Sequence, residues 1–586
     1  MGNRVVDSKP RSGLRLKVDA VFDIETKDWD EFVCGSLWTK TEGTQVFFNE
    51  DELAGALLAL PSTTTVWAHA GGSFDVLWLL DWCHRKETIP EAKITMSGSA
   101  IASMAIKNGP TFRDSCRLIP MSLKKASSMF AGTQQKESLD LPCKCGKDCG
   151  GYCSISANLP TAQRNRLQTY LEADIASLRD TMTALINYAE QNKIQLGGTL
   201  AGSTWRTAKE WCGLPDAEWD VKHYLDVRGG YFGGRVEGAR TKADVVWQYD
   251  RTQAYPSAMT RPLPVGAMST HEGPAAAKSY RAGRPGFYEA IVLVPEMLAP
   301  PLPMRQPNRL VYPWGEVTGT WPRAELQHAE EMGGKIVKVL RSWVWGREEA
   351  ILKTYMEHCF KLREAAKTES LRLWVKLLAN SLSGAFAQDP ETDIIRFGDY
   401  ADDPAYEQIG CHDWIWRRSM FRIPDRGHIQ YAGTLTGDAR VELHNEICHA
   451  GDSWCYSDTD SVLATKALTR NVGQGLGLWK FEGKATNFEC LAPKVYSLLR
   501  PDGKRHARAK GISDAPGHWD AIRAREPVAF EGGVQSLLVA ARGEKLFQKR
   551  AQTRQMKPPT EWLGGRLRDG KLRTRAPHVD DLVRLP

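Results

Sequence analysis

Tyr456-Ser457-Asp458-Thr459-Asp460-Ser461 places two carboxylates two residues apart between apolar flanks. Trp454, Cys455 and Tyr456 precede the acids, and Val462 and Leu463 follow them. That pattern predicts two short buried strands joined by a tight polar turn. Packing does not ask for acids there. Two close carboxylates repel, and a site that presses them together neutralises them with a divalent cation. A DxD turn is also the pattern of a solvated Asp turn. The rest of the chain has to decide between the two.

Working outward, Val245-Val-Trp-Gln-Tyr249 reads as a strand that runs into Asp250. A carboxylate at a strand end, followed by a turn and a helix start, is a natural metal position, with Tyr255 five residues on lying beneath it. Lys494-Val-Tyr496 falls on a strand near the acids. A helical stretch is expected from Glu348 to Phe386, broken near Thr368. Its second half carries an apolar stripe of Leu371, Trp374, Leu378 and Leu382, with Arg372, Lys376 and Asn380 along another face. Such a row grips a triphosphate or is simply a solvated face. Asn380-Ser-Leu-Ser383-Gly384 would end the helix at glycine. Arg228-Gly-Gly-Tyr231-Phe-Gly233-Gly234-Arg235 combines backbone that can approach a ligand with arginines suited to phosphate; an interdomain turn has the same composition. Residues 263 to 355 are rich in proline and read as an insertion.

The first 190 residues hold a second set of acids. Val18 to Ile24 reads as a strand ending in Asp23-Ile-Glu25, and period two puts both acids on one side. His69-Ala-Gly-Gly-Ser-Phe74-Asp75 opens a helix-like run. Tyr170-Leu-Glu-Ala-Asp174 is helical, so Tyr170 and Asp174 share a face. Asp23, Glu25, Asp75 and Asp174 together form a nest for two divalent metals, an arrangement that suits attack of water on a phosphodiester. Tyr170 would orient that water, and Lys136 would stabilise developing phosphate charge. Each acid alone reads more simply as a cap or surface group. Cys143, Cys145, Cys149 and Cys153 lie within eleven residues: a donor set for a structural zinc, or free thiols on a loop.

Length, composition and charge bound these readings. At 586 residues the chain should form several domains. Hydrophobic residues make up 42% and charged residues 25%, ordinary for a globular protein, and no apolar run reaches the ~18 residues of a membrane span. The basic start, Met1 to Lys17, lacks the apolar core of a signal peptide. Thirteen cysteines, an odd number, fit a reducing compartment. An intracellular protein is expected. The net charge is +7, yet the segment 542–575 alone carries +8. A basic C-terminal module on a near-neutral body points to a polyanion partner or a solvated tail.

Taken in order, these motifs resemble those of family B DNA polymerases, in the protein-primed branch of linear phages, linear plasmids and adenovirus. Asp23-Ile-Glu25-Thr, the Phe74-Asp75 element and Tyr170-Leu-Glu-Ala-Asp174 are similar to the three exonuclease motifs. Asp250 to Pro256, Lys376 to Gly384, Tyr456 to Ser461 and Lys494-Val-Tyr496 are similar to the polymerase motifs. Lys136-Glu-Ser-Leu resembles the lysine element of the protein-primed exonuclease. The resemblance implies an α+β multidomain fold: an RNase H-like 3′–5′ exonuclease domain followed by a right-hand palm, fingers and thumb with insertions. The implied divisions are a tail (1–17), exonuclease (18–190), palm (191–262 and 429–522), a terminal-protein-region insertion (263–355), fingers (356–388), a second insertion (389–428) and thumb (523–586). Gaps of 126 residues from Asp250 to Lys376 and 72 from Gly384 to Tyr456 leave room for both insertions.

The resemblance also implies residue roles. Asp250 and Asp460 would hold two Mg2+ or Mn2+ ions with Asp458 beside them. Tyr255 would reject ribonucleotides. Lys376, helped by Arg372 and Asn380, would bind the dNTP. Lys494 and Tyr496 would hold the primer end, and Tyr231, Gly233 and Gly234, or the overlapping Arg228 to Gly230, would contact DNA between the two active sites. Asp23, Glu25, Asp75, Asp174, Tyr170 and Lys136 would run proofreading. Template–primer DNA, dNTPs and a terminal priming protein are the implied partners of a monomer working in the cytoplasm of a host cell. Three positions depart from the pattern. Ser383 stands where tyrosine precedes the glycine, Ala70 or Gly71 where asparagine opens the second exonuclease motif, and Gln253-Ala254 where Ser-Leu is usual. Rival readings are a polymerase using a nucleic-acid primer, a DNA-binding replication factor with a decayed site, and an enzyme working mainly as an exonuclease.

Overall fold

A computed structural model describes residues 16–27, 31–139, 141, 155, 160–307, 309–410, 412–534, 536–543, 545–547, 549–556, 562–570 and 572–584. Cys143, Cys145, Cys149 and Cys153 lie outside the described residues.

Two large sheets organise the chain. The first has ten strands. At its centre, Ala20–Lys27, Thr65–Ala68 and Thr111–Asp114 run parallel, with hairpins extending it on both sides. The helix Asp75–Arg85 and the 31-residue helix Thr161–Gln191 pack beside these strands. The expected strand is there, shifted two residues later than the apolar run predicts. Leu16, expected in a loose tail, is buried, and Trp67 Nε1 donates to Lys17 O at 2.8 Å.

The second sheet is a seven-stranded antiparallel platform. Lys242–Arg251 lies between Trp479–Ala492 and Ser461–Ala464, and Trp454–Asp458 is next, followed by Val236–Gly238 at the edge. The helix Ile429–Ala450 runs behind it, burying Leu443 and Ile447 against Trp454 and Tyr249. This is the strand–turn–strand predicted around Asp458.

The stretch expected to be helical from Glu348 is divided. The strand Lys335–Glu349 runs on to Glu349, paired with Leu263–Glu272, and the helices are Lys353–Ala365 and Glu369–Phe386. Cross-strand pairing outweighs the helical propensity of Glu348 and Glu349. Thr368 caps the second helix by accepting from Leu371 N. The region 263–355 forms a four-stranded sheet carrying the helices Gly273–Arg281 and Arg323–Glu331.

Two segments join distant units. Glu391–Phe397, from the region 389–428, pairs antiparallel with Ala92–Ser97 and so extends the first sheet. The C-terminal region, expected as one thumb, divides. Leu537, Ala540, Leu546 and Phe547 enter the core of the first sheet, and Asp81 Oδ1 accepts from Leu546 N at 2.9 Å and Phe547 N at 3.2 Å. The three-stranded sheet of Trp562–Leu563, Arg566–Asp569 and Arg573–Arg575 instead packs on the edge of the platform. Arg566, counted among the polyanion-binding cations, is fully buried there and pairs with Glu237.

Candidate active sites

The platform's site starts from strand register. Ser461 sits directly opposite Asp250, and Asp458 opposite Ser461, so residues more than 200 apart meet at one strand end. Arg251 N donates to Asp460 O at 2.6 Å, closing the turn onto the strand that carries Asp250. Thr459 takes φ 60°, the left-handed conformation that so tight a turn requires. Burial, then Asp460 and Glu482, push Asp250 up to about 6, while Lys376 and Lys480 pull the other way. Burial and then Asp458 raise Asp460, against Lys376 and Lys494. The acids therefore repel one another in a partly desolvated site, the arrangement a divalent cation relieves.

The side chains around them have definite partners. Lys494 Nζ donates to both oxygens of Asp458, at 2.7 and 2.9 Å, and Lys494 N donates to Tyr456 OH at 2.9 Å. Tyr496 packs on Tyr456 with ring centroids 5.1 Å apart. Tyr255 lies in the short helix Ala254–Met259; burial raises its phenol, with Arg440 opposing and Tyr231, Asp460 and Asp458 adding to the rise. Gln253, at the departure from the motif, has φ 51° and caps that helix. On the helix Glu369–Phe386, Lys376 faces the two acids and Asn380 Oδ1 is buried with no partner among the described residues. Arg372 is not brought to the site; it is exposed and pairs with Glu369 at 2.6 Å. Ser383 Oγ turns back to Asn380 O at 3.1 Å.

The glycine loop abuts the turn. A Cβ on Gly234 would lie 2.6 Å from Thr459 Cγ2 and Oγ1, whereas one on Gly233 would meet nothing within 4 Å. Thr459 N donates to Arg235 O at 2.8 Å. A side chain on Gly234 would therefore collide with the Asp458–Asp460 turn.

The first sheet carries the other site. Asp23 and Glu25 alternate on Ala20–Lys27, and Ile24 N between them donates to Asp75 Oδ1 at 3.1 Å. Lys136 Nζ donates to Tyr170 OH at 2.8 Å and to Asp174 Oδ2. Burial, then Asp174, push Asp23 up to about 7; burial, then Asp23, push both Glu25 and Asp75 well above the usual range. Burial also raises Asp174 against its pairing with Lys136, and Asp174 Oδ1 is buried with no partner among the described residues. All four acids thus converge with Tyr170 and Lys136. Ala70, where the resemblance leads one to expect asparagine, has φ 60°. Gly72 is required, since a Cβ there would fall 1.7 Å from Ile101 O. A cavity of about 760 Å3 runs from His69, Ala70 and Lys136 to Thr199 and Ser381, linking this site to the helix of Lys376.

Among the described residues no group of three or more His, Cys, Asp or Glu side chains is arranged to hold a metal ion as it stands. At both sites a lysine ammonium rests on a carboxylate instead. The donor sets nevertheless fit hard cations: oxygen ligands only, an orphaned carboxylate oxygen at Asp174, and buried acids that repel one another.

Sequence reading missed three groups. Glu482 and Lys480 stand beside Asp250 on Trp479–Ala492; the alternation Trp-Lys-Phe-Glu there was a legible signal for a charged strand face. Arg440, in the helix behind the platform, reaches the glycine loop, and nothing local in the sequence marks it.

Residues 158–411 match the family described as DNA polymerase type B, organellar and viral. The chain is 23% identical over 489 residues to the DNA-directed DNA polymerase of Enterobacteria phage PRD1, covering 77% of this chain and 76% of that protein. It is 21% identical over 568 residues to a probable DNA polymerase of Ascobolus immersus, covering 83% of this chain and 46% of that one. Among solved structures, Phi29 DNA polymerase in its ternary complex with primer-template DNA and incoming nucleotide superposes with a TM-score of 0.67 at 15% identity, over 88% of this chain and 95% of that chain. Its binary complex with primer-template DNA gives 0.69 at 14%, over 92% and 100%. These likenesses show a shared fold.

Proposed function

We infer that this chain, a type B DNA polymerase of the organellar and viral kind, extends a 3′ hydroxyl with dNTPs at Asp250, Asp458 and Asp460 and removes mismatched ends at the Asp23 site. The observation that carries the reading is the meeting of Asp250 with the Asp458–Asp460 turn on adjacent strands, facing Lys376 and Tyr255. Two divalent cations, Mg2+ or Mn2+, bound by Asp250 and Asp460, would supply activation of the primer hydroxyl and charge neutralisation on the triphosphate. Lys376 balances triphosphate charge from the helix above. The half-buried Tyr255 ring would exclude a 2′ hydroxyl. Lys494 moves from Asp458 to the primer phosphate as DNA arrives, with Tyr496 stacked behind it. At the second site Asp23, Glu25, Asp75 and Asp174 would hold a further metal pair, Tyr170 orients the attacking water and Lys136 stabilises the leaving charge. The cavity beside Lys136 would receive a frayed single strand.

The two insertions and the Phi29-like fold support priming from a protein hydroxyl, so a terminal protein is the proposed partner, with template DNA and dNTPs. Among the described residues no helix is long and apolar enough to cross a membrane; the proposed setting is the cytoplasm of a cell hosting a phage or linear element, with the enzyme acting as a monomer. The test is primer extension and 3′–5′ degradation by wild type, Asp460→Ala and Asp23→Ala in Mg2+. Asp460→Ala should lose incorporation only, and Asp23→Ala degradation only. Incorporation by Asp460→Ala at the wild-type rate would end this reading.

A further inference from the structure

Arg440 sits mid-way along the helix Ile429–Ala450, 3% exposed, and it makes two kinds of contact. Nε donates to Glu325 Oε1 at 2.9 Å and Nη2 to Oε2 at 2.6 Å, a bidentate fork. Nη1 donates to the main-chain oxygens of Phe232 and, at 3.0 Å, Gly233. Glu325 is 2% exposed and lies in the first turn of Arg323–Glu331, in the first insertion. Phe232 and Gly233 are the middle of the glycine loop. The next residue, Gly234, presses on Thr459, whose Oγ1 is 3.1 Å from Asp458 Oδ1. One guanidinium therefore ties the first insertion to the loop that backs the catalytic turn.

Stability alone does not account for this pair. Two charges taken out of water contribute little beyond what an apolar pair of the same volume would. What an apolar pair lacks is the rigid planar fork that meets a carboxylate on one edge and two carbonyls on the other. The charge also reaches the site itself, since Arg440 is the largest influence opposing the rise of the Tyr255 phenol. A second arginine, Arg305 of the same insertion, donates to Tyr231 O at 2.5 Å. The loop is thus held along Tyr231, Phe232 and Gly233 by groups that belong to, or are anchored on, the first insertion.

We propose that Arg440 is a positioning residue: it sets the glycine loop, and through Gly234 and Thr459 the Asp458 turn, from wherever the first insertion holds Glu325. The inference rests on the polymerase reading and adds to it a residue that links the first insertion to primer binding. Lysine keeps the charge but cannot span Glu325 and both carbonyls at once.

The test uses the full chain as wild type, Arg440→Lys, and the double variant Arg440→Met with Glu325→Leu. Single-nucleotide incorporation gives KM for primer–template and kcat. Degradation of a single-stranded oligonucleotide is measured on the same preparations. Arg440→Lys should raise KM for primer–template about tenfold, the size of one lost charge-assisted hydrogen bond, with degradation changed less than about twofold. The double variant, which buries no unpaired charge, should keep the wild-type melting temperature and show the same loss of primer binding. It therefore decides the matter even if Arg440→Lys fails to fold. A folded double variant with wild-type KM overturns the proposal, as does an equal fall in both activities. A wild-type chain that incorporates nothing overturns the polymerase reading, and this one with it.

Discussion

Replacing Gly234 by alanine puts the contact between the glycine loop and the Asp458–Asp460 turn under direct strain. The new Cβ would lie 2.6 Å from both Thr459 Cγ2 and Oγ1 and 2.9 Å from Thr459 Cβ, where ordinary contact begins at 3.4 Å. Something must move by about 0.8 Å. Thr459 has little freedom to do so by rotation. It is β-branched, its φ is 60°, its N–H is tied to Arg235 O, and its hydroxyl is tied to Asp458. The strain therefore passes into the backbone of the turn and shifts Asp458 and Asp460. Overpacking of this kind costs about 1–3 kcal/mol of stability. A misplacement approaching 1 Å at reacting groups costs on the order of 100-fold in rate. Single-turnover incorporation with saturating dNTP should accordingly fall by about that factor, with single-strand degradation at the distant Asp23 site unchanged. Gly233→Ala is the matched control, because its Cβ meets nothing within 4 Å; it should stay within about threefold of wild type. Adding Thr459→Gly to Gly234→Ala removes the clashing side chain and suits the positive φ, so it should restore most of the rate. Wild-type turnover in Gly234→Ala, or an equal loss in Gly233→Ala, would show that the loop does not bear on the turn.

Three further outcomes are expected. Asp23 is held at about 7 in the folded, metal-free chain against 3.8 when free, so it detracts from stability increasingly as pH rises from about 4 to about 7. Asp23→Asn should then raise the metal-free melting temperature by a few degrees at pH 8 and not at pH 4, read by scanning calorimetry, while metal affinity of the wild type strengthens over the same pH range. Lys136→Met leaves Asp174 buried without its ammonium partner and should cut 3′–5′ degradation about 100-fold without altering incorporation, as measured by paired rate assays. Asp81→Ala strips the acceptor from the amides of Leu546 and Phe547, at about 1–3 kcal/mol for a buried donor left unpaired, and should expose the 537–547 segment to limited proteolysis.

The secondary structure of the motifs was legible because it is local. Apolar flanks with acids between them imply strand–turn–strand wherever the turn sits in space, and the 454–464 hairpin formed as read. Period two put Asp23 and Glu25 on one face, and helical spacing put Tyr170 and Asp174 on another. The misreadings fall where distant segments compete. Glu348 and Glu349 have helical propensity but were claimed by pairing with Leu263 and Pro264. Arg372 has the spacing of a phosphate ligand, yet Glu369 lies one turn away and the helix turns that pair to solvent.

By itself the sequence determined the order of the motifs and most of the local secondary structure that presents them. Only the tertiary structure decided which segments meet: that Ser461 pairs opposite Asp250, that Glu391–Phe397 joins the sheet of Asp23, that Arg566 is interior, and that Arg440 bridges Glu325 and the glycine loop. The reason is physical. Backbone period and side-chain polarity are properties of neighbours along the chain, whereas strand register and buried ion pairs arise from burial competition among segments hundreds of residues apart, which no local stretch encodes.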